Sequence, residues 1–327
     1  MKRYLYLFMI CLLLIGCGNK SEKDVLKNIK KKTENLNSYI MQGELKIYNG
    51  DNKYTYNVEV NYKKDDLYKV SLINTVNDHE QIILRNKEGV YVLTPSLNKS
   101  FKFQSDWPYN NSQIYIIERI MTDIESDNSK IYEHKNSKHI FTTKVNYSTN
   151  TDLESQKVYF DKNYKLKKVE VYTKNKDIAM EFSVKKLDDN KKIKDSVFDL
   201  KNNLDEEVSK EVAETINNVV YPMYLPVNTY LTSQDKVIKE DGERIILTFG
   251  GDKSFTLIEE TITVGKDLDV NITYGEPDII LDTVGVIDDN SISWVSNEIE
   301  YSLVSDNLDK EELISVAKSI SSASLTK

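Results

Sequence analysis

Two stretches near the start of the chain alternate apolar and polar residues with a period of two. Tyr39, Met41, Gly43, Leu45 and Ile47 are separated by Gln42, Glu44 and Lys46, and Tyr54, Tyr56, Val58, Val60 and Tyr62 by Thr55, Asn57, Glu59 and Asn61. Between them lies the cluster Asn49-Gly50-Asp51-Asn52. Alternation on both sides of a Gly/Asn turn predicts a long antiparallel hairpin with one apolar face. Ahead of it, Val25, Leu26, Ile29 and Leu36 among Lys and Glu predict a modest amphipathic helix over 24–36. Further strands are expected at 67–73, 81–85, 90–93, 101–103, 130–134, 139–147, 157–160, 165–172 and 178–185, joined by Asn-, Asp- and Lys-rich turns. The alternation breaks at Ile114, Ile117, Ile120, Met121 and Ile124, whose spacing predicts a helix capped at Asn111-Ser112. Long antiparallel strands with two helices among them indicate an α+β fold: a strongly curved antiparallel sheet wrapped around helices.

The charged stretch 201–211 is expected to merge into a helix through Ile216 and Val220, stopped by Pro222 and Pro226. A domain boundary is placed there, giving a first domain over 24–203 and a smaller α+β domain over 204–327. In the smaller one, 244–249 and 255–264 flank Gly250-Gly251-Asp252-Lys253 as a hairpin, and 291–295 and 298–304 read as strands. The chain closes on a helix with Asp309 as N-cap, Glu312 at the capping-box position, and Leu308 and Leu313 as a hydrophobic staple.

The N-terminus follows a different pattern. Lys2 and Arg3 precede an apolar run of twelve residues, Tyr4 to Ile15, too short to span a bilayer but long enough for a signal-peptide core. It ends in Leu14-Ile15-Gly16-Cys17, which resembles the lipobox of bacterial lipoproteins. That resemblance implies a leader over 1–16, a diacylglycerol on Cys17, a polar tether over 17–23, and anchoring to the outer face of the cell membrane or a spore membrane. Cys11 would leave with the leader. The mature fold would then hold neither a free thiol nor a disulfide, which excludes thiol catalysis.

Composition narrows the function further. The 327 residues suggest two domains, and the net charge of −8 argues against a nucleic-acid partner. No Gly-rich phosphate loop, zinc motif or Gly-x-Ser-x-Gly elbow is present, so neither an enzyme nor a cofactor is expected. His134 and His139 could face each other across Lys135-Asn136-Ser137-Lys138. Two lysines there oppose a cation, so both rings are read as solvated strand-end imidazoles and no metal is expected. The face carrying Tyr54, Tyr56 and Tyr62 either lines an apolar cavity for an acyl chain or a partner's peptide, or fills the sheet against the helix at 114–124. Trp107-Pro108-Tyr109 is either an interaction element in a loop or an anchor that tucks Trp107 under the sheet.

Several segments carry a family resemblance: the leading helix running into Tyr39-Ile40-Met41-Gln42-Gly43-Glu44-Leu45, the hairpin Arg85-Asn86-Lys87-Glu88-Gly89-Val90-Tyr91, and the run from Met180 to Leu200. They resemble the LolA/LolB/RseB superfamily of bacterial envelope proteins, which implies a half-open antiparallel barrel around helices. Asp106-Trp107-Pro108-Tyr109-Asn110-Asn111, together with Tyr221-Pro222-Met223-Tyr224-Leu225-Pro226 and Leu308-Asp309-Lys310-Glu311-Glu312-Leu313, is similar to the spore-former branch of that superfamily. The resemblance implies a non-enzymatic, membrane-tethered lipoprotein of sporulation or germination that binds a protein partner in spore cortex processing. It also allows a lipid or lipoprotein carrier, or an RseB-like regulator that grips an anti-sigma factor.

Overall fold

The computed structural model describes residues 21–147, 150–204, 215–240, 242–262 and 269–324. The leader, Cys17 and the first residues of the tether lie outside them, as do the charged residues following Leu204.

The chain begins with helix α1 (Glu22–Glu34). The Ser21 hydroxyl accepts from the Asp24 N–H at 3.2 Å, acidic residues fill the first turn, and Lys31 and Lys32 the last, which complements the helix dipole. Val25 and Ile29, one turn apart, are its buried stripe. The predicted hairpin follows as β1 (Ser38–Asn49) and β2 (Asn52–Lys63), registered from Ser38 against Lys63 to Asn49 against Asn52. Next come β3 (Leu67–Asn74), β4 (Glu80–Asn86), β5 (Gly89–Thr94) and β6 (Lys99–Phe103).

Helix α2 (Ile117–Ser126) begins later than the spacing predicts. Ile114 to Ile116 are buried but not helical, and the residue at the cap is Ile116, with no side-chain capping bond. Ser112 instead trades hydrogen bonds with Asn146, N–H to carbonyl and hydroxyl from N–H, both at 2.8 Å. Strands β7 (Ile131–Lys135), β8 (Lys138–Lys144), β9 (Leu153–Phe160), β10 (Leu166–Thr173) and β11 (Ile178–Asp189) then return the chain to β1. The β1–β11 ladder slips at Gln42/Gly43. A Cβ on Gly43 would lie 2.5 Å from the Phe182 ring and 2.7 Å from the Ser183 carbonyl, so glycine is what lets that buried ring cross the strand.

The second half supplies β12 (Thr229–Lys239), β13 (Gly242–Gly251), β14 (Phe255–Thr261), β15 (Asp269–Thr273), β16 (Glu276–Ile280), β17 (Thr283–Ile287), β18 (Ser291–Ser296), β19 (Ile299–Val304) and helix α3 (Lys310–Ser324). The capping box of α3 forms as expected. The Glu312 N–H donates to Asp309 Oδ1 at 2.9 Å, and the Asp309 N–H to Glu312 Oε2 at 3.2 Å. No helix runs through Ile216 and Val220. Their N–H groups donate instead to the carboxylates of Glu243 and Glu259, which tie this segment onto the sheet.

The result is an α+β fold of mainly antiparallel sheet. Among the described residues one sheet has twelve strands, in the order β15-β6-β5-β4-β3-β2-β1-β11-β10-β9-β8-β7, and the other seven, in the order β12-β13-β14-β19-β18-β17-β16. One apolar core gathers α1, α2 and the alternate residues of the larger sheet, and a second lies between α3 and the smaller sheet. The two halves interlock. Strand β15 pairs in parallel with β6, and Ile262, Leu281, Val284, Val286 and Val295 belong to the first core. No helix among the described residues is long and apolar enough to cross a membrane.

Candidate functional site

Four of the residues singled out in the sequence meet at one end of the larger sheet. Tyr39 and Tyr62 stand directly opposite on β1 and β2, and Tyr62 and Tyr68 on β2 and β3, so their rings form a row with centroids 5.0 Å apart at each step. Tyr68 then meets Trp107 edge-on at 6.1 Å and Tyr109 at 6.5 Å.

Trp107 and Pro108 are buried, whereas Tyr109 is 39 % exposed. Trp107 anchors the loop under the sheet, and Tyr109 is left at the surface. The loop is pinned along its length. Ser105 hydrogen-bonds to Glu276, Arg85 Nη1 donates to the Trp107 carbonyl at 2.5 Å, and Arg119 Nε donates to the Asn111 carbonyl at 3.0 Å. The Tyr109 hydroxyl donates to Asp66 at 2.5 Å, and the Arg85 guanidinium lies 5.2 Å over its ring. Burial, reinforced by the Asp66 carboxylate, pushes the Tyr109 phenol up to about 12. The side chain is thus presented as a neutral, oriented ring with little rotamer freedom left to lose on binding.

Behind the tyrosine row, the Tyr39 hydroxyl donates to Glu118 of α2 at 3.0 Å. Burial pushes the Glu118 carboxyl up to about 7, against the opposite pull of that hydrogen bond. Between the ordinary carboxyl value and about 7, the folded chain holds a proton that the unfolded chain has released. Stability therefore falls as pH rises through that window. Between pH 5 and 8 the unsubstituted chain is expected to lose on the order of 2 kcal/mol more than a Glu118→Gln variant. Urea midpoints measured across this range check it, and parallel curves for the two chains would contradict it. Burial pushes Glu259 of β14 up to about 7 as well, so a shallower slope in the same direction persists in the variant.

Tyr54 and Tyr56 are placed elsewhere. Both are buried, and the Tyr56 hydroxyl donates to the Leu281 carbonyl at 2.6 Å, in the connection between β16 and β17. Beside it Asn74 Nδ2 reaches the Asp282 carbonyl at 3.4 Å. Gln81 clasps β17, accepting from the Val284 N–H at 2.5 Å and the Thr283 hydroxyl at 3.1 Å and donating to the Val284 carbonyl at 3.2 Å. This face of the larger sheet is filled by the chain's own second half. A cavity of about 90 Å³ persists at the junction, lined by Ile47, Ile114, Tyr115, Tyr147, Asp278 and Lys318 among others.

Of the two histidines read as solvated, His134 is exposed and His139 is not. His134 and His139 are opposite in the β7–β8 register with rings 5.0 Å apart, but His139 is buried and hydrogen-bonded to the Tyr132 hydroxyl at 2.8 Å. Tyr132 on one side and Tyr164 on the other cover the ring, which is why it is not solvated. Sequence reasoning missed Arg85, Asp66 and Glu118. Their chain neighbours Asn86, Asp65 and Arg119 are themselves polar or charged, so the sequence carries no signal for them.

No family model matches the chain. Among solved structures, it aligns over 90 % of its length with the complex of MucA and MucB from Pseudomonas aeruginosa (97 % of that chain, 12 % identity, TM-score 0.34). It aligns over 55 % with the CwlD amidase from Clostridioides difficile in complex with the GerS lipoprotein (99 % of that chain, 15 % identity, TM-score 0.27). It aligns over 56 % with the LolA superfamily protein NE2245 from Nitrosomonas europaea (99 % of that chain, 9 % identity, TM-score 0.33). Sporulation protein YdcC of Bacillus subtilis (strain 168) is 38 % identical over 315 residues, 94 % of this chain and 93 % of its own length, and the chain therefore belongs to the family of that sporulation protein.

Proposed function

We propose that this chain is an extracytoplasmic lipoprotein of a spore-forming bacterium, anchored through a diacylglycerol on Cys17. On this reading its larger sheet is a LolA-like half-barrel, and it acts in sporulation or germination without catalysis, by holding a protein partner of spore cortex processing. Full-length identity with a sporulation protein supports the process. The presentation of Tyr109 supports contact as the mode of action: an exposed ring on a loop that Arg85, Arg119 and Ser105 hold in place. The filling of the Tyr56 face by Leu281 and Val284 favours a protein partner over a long acyl chain in that position.

The test is crosslinking in sporulating cells followed by capture of what is attached. Tyr109→Ala is expected to reduce capture of the partner about 30-fold, the loss of one hot-spot side chain, with the fold retained. Undiminished capture by the variant would refute Tyr109 as the contact. Normal heat-resistant spore yield and germination after deletion of the gene would refute the process.

A further inference from the structure

Among the described residues, one edge strand stands out by its exposure. Strand β12 bonds to β13 on one side only, and every residue after Thr229 in its eleven is exposed. Of the three other sheet edges among the described residues, β15, β16 and β7, two are visibly blunted. β16 buries Pro277 and Ile280, and its connection to β17 is clasped by Tyr56 and Gln81. One edge of the larger sheet, β7, is five residues long and carries Glu133, His134 and Lys135, the short charged form that blunts edge pairing. β12 has no proline, its one register shift lies near its start between Leu231 and Ser233, leaving Ser233–Lys239 as a regular edge, and its two lysines do not guard that stretch. Lys236 is drawn back to Glu243 at 2.5 Å and Lys239 to Glu260.

The same edge carries apolar side chains toward both ends. Tyr230, Leu231, Val237 and Ile238 are exposed along it, Ile238 by 81 %. The Tyr221 hydroxyl donates to Gln234 of β12 at 2.5 Å, which brings the segment 221–227 against the strand with Met223, Tyr224, Leu225 and Val227 also exposed. Nine of the sixteen exposed large hydrophobic side chains among the described residues fall within 221–238, so exposed apolar surface is concentrated in this stretch. Their summed exposed surface, over both faces of the strand and 221–227, is on the order of the ~800 Å² that each partner buries in a standard interface.

We propose that this edge pairs with the same edge of a second copy, β12 antiparallel to β12 about a two-fold axis, so that two seven-stranded sheets become one. A two-fold operation sets each outward N–H of an antiparallel edge against the carbonyls of its twin, so the strand is its own complement. The area left exposed is what one side of such a dimer requires.

The test uses two full-length copies with different tags in one cell and, separately, ¹⁵N-grown protein mixed with ¹⁴N-grown protein for lysine crosslinking. One tag is expected to retrieve the other, mixed-isotope crosslinks are expected at Lys236 or Lys239, and the double variant Val237→Lys, Ile238→Lys is expected to lower retrieval at least tenfold. Both side chains are exposed, so the circular dichroism spectrum should not change. Failure to retrieve the second tag, retrieval indifferent to the double variant, or crosslinks from Lys236 and Lys239 to a different protein would each overturn the pairing. Tyr109→Ala leaves retrieval of the second copy unchanged, so the two surfaces are tested separately.

Discussion

Replacing Trp107 with alanine is expected to destabilise the fold by about 3–5 kcal/mol, the range for deleting a buried aromatic that the core cannot collapse to refill. The indole is 1 % exposed, packs edge-on against Tyr68 and holds the loop whose carbonyl Arg85 engages. Its Nε1–H is buried with no hydrogen-bond partner, so part of what the ring contributes is offset by an unsatisfied donor. Trp107→Phe, which removes that donor and keeps an aromatic body, should therefore cost much less than Trp107→Ala. Urea denaturation of the three chains decides it. A loss below about 1 kcal/mol for the alanine variant would mean that the loop is held by its backbone contacts alone. The comparison with Tyr109 separates anchoring from contact, because Trp107→Ala should lower both stability and partner capture and Tyr109→Ala only capture.

The second large effect is expected at Gln81. Its amide satisfies both backbone groups of Val284 and shares the Thr283 hydroxyl, all at buried positions. Gln81→Leu matches its volume but leaves the Val284 N–H and carbonyl without partners, at a cost of about 2–4 kcal/mol. Thr283 is affected less, because its hydroxyl also donates to the Val295 carbonyl at 2.8 Å. Because the clasp joins the two halves, the loss should show first as local opening. Hydrogen exchange at the Val284 amide is expected to accelerate at least tenfold, with amides of β1 and β2 far less affected. Uniform acceleration across both sheets would show that the halves do not open separately.

What could be read from the sequence depended on how each strand is covered. β1 and β2 bury one face, so Tyr39 to Ile47 and Tyr54 to Tyr62 alternate cleanly and their hairpin was predicted to the turn. β12 buries neither face, so nothing in its pattern marks it as a strand. β17 is buried at all five positions, and a short continuous apolar run is ambiguous between strand and helix. The start of α2 was misplaced for a related reason. Ile114 to Ile116 are buried on the approach to the helix, and burial alone extended the apparent period. The aromatic cluster in the loop was visible as Trp107-Pro108-Tyr109, but which ring faces inward is set by contacts outside the tripeptide, with Arg85, Arg119 and the distant Glu276 holding the loop.

The parallel seam between β15 and β6 orders events in time. A chain that emerges N-terminus first has made β1 to β11 long before Asp269–Thr273 exists, so the β6 edge must wait, with open backbone, through some 160 further residues. Until then the larger sheet presents an adhesive border, and any factor that accompanies the nascent protein would do most good over that interval.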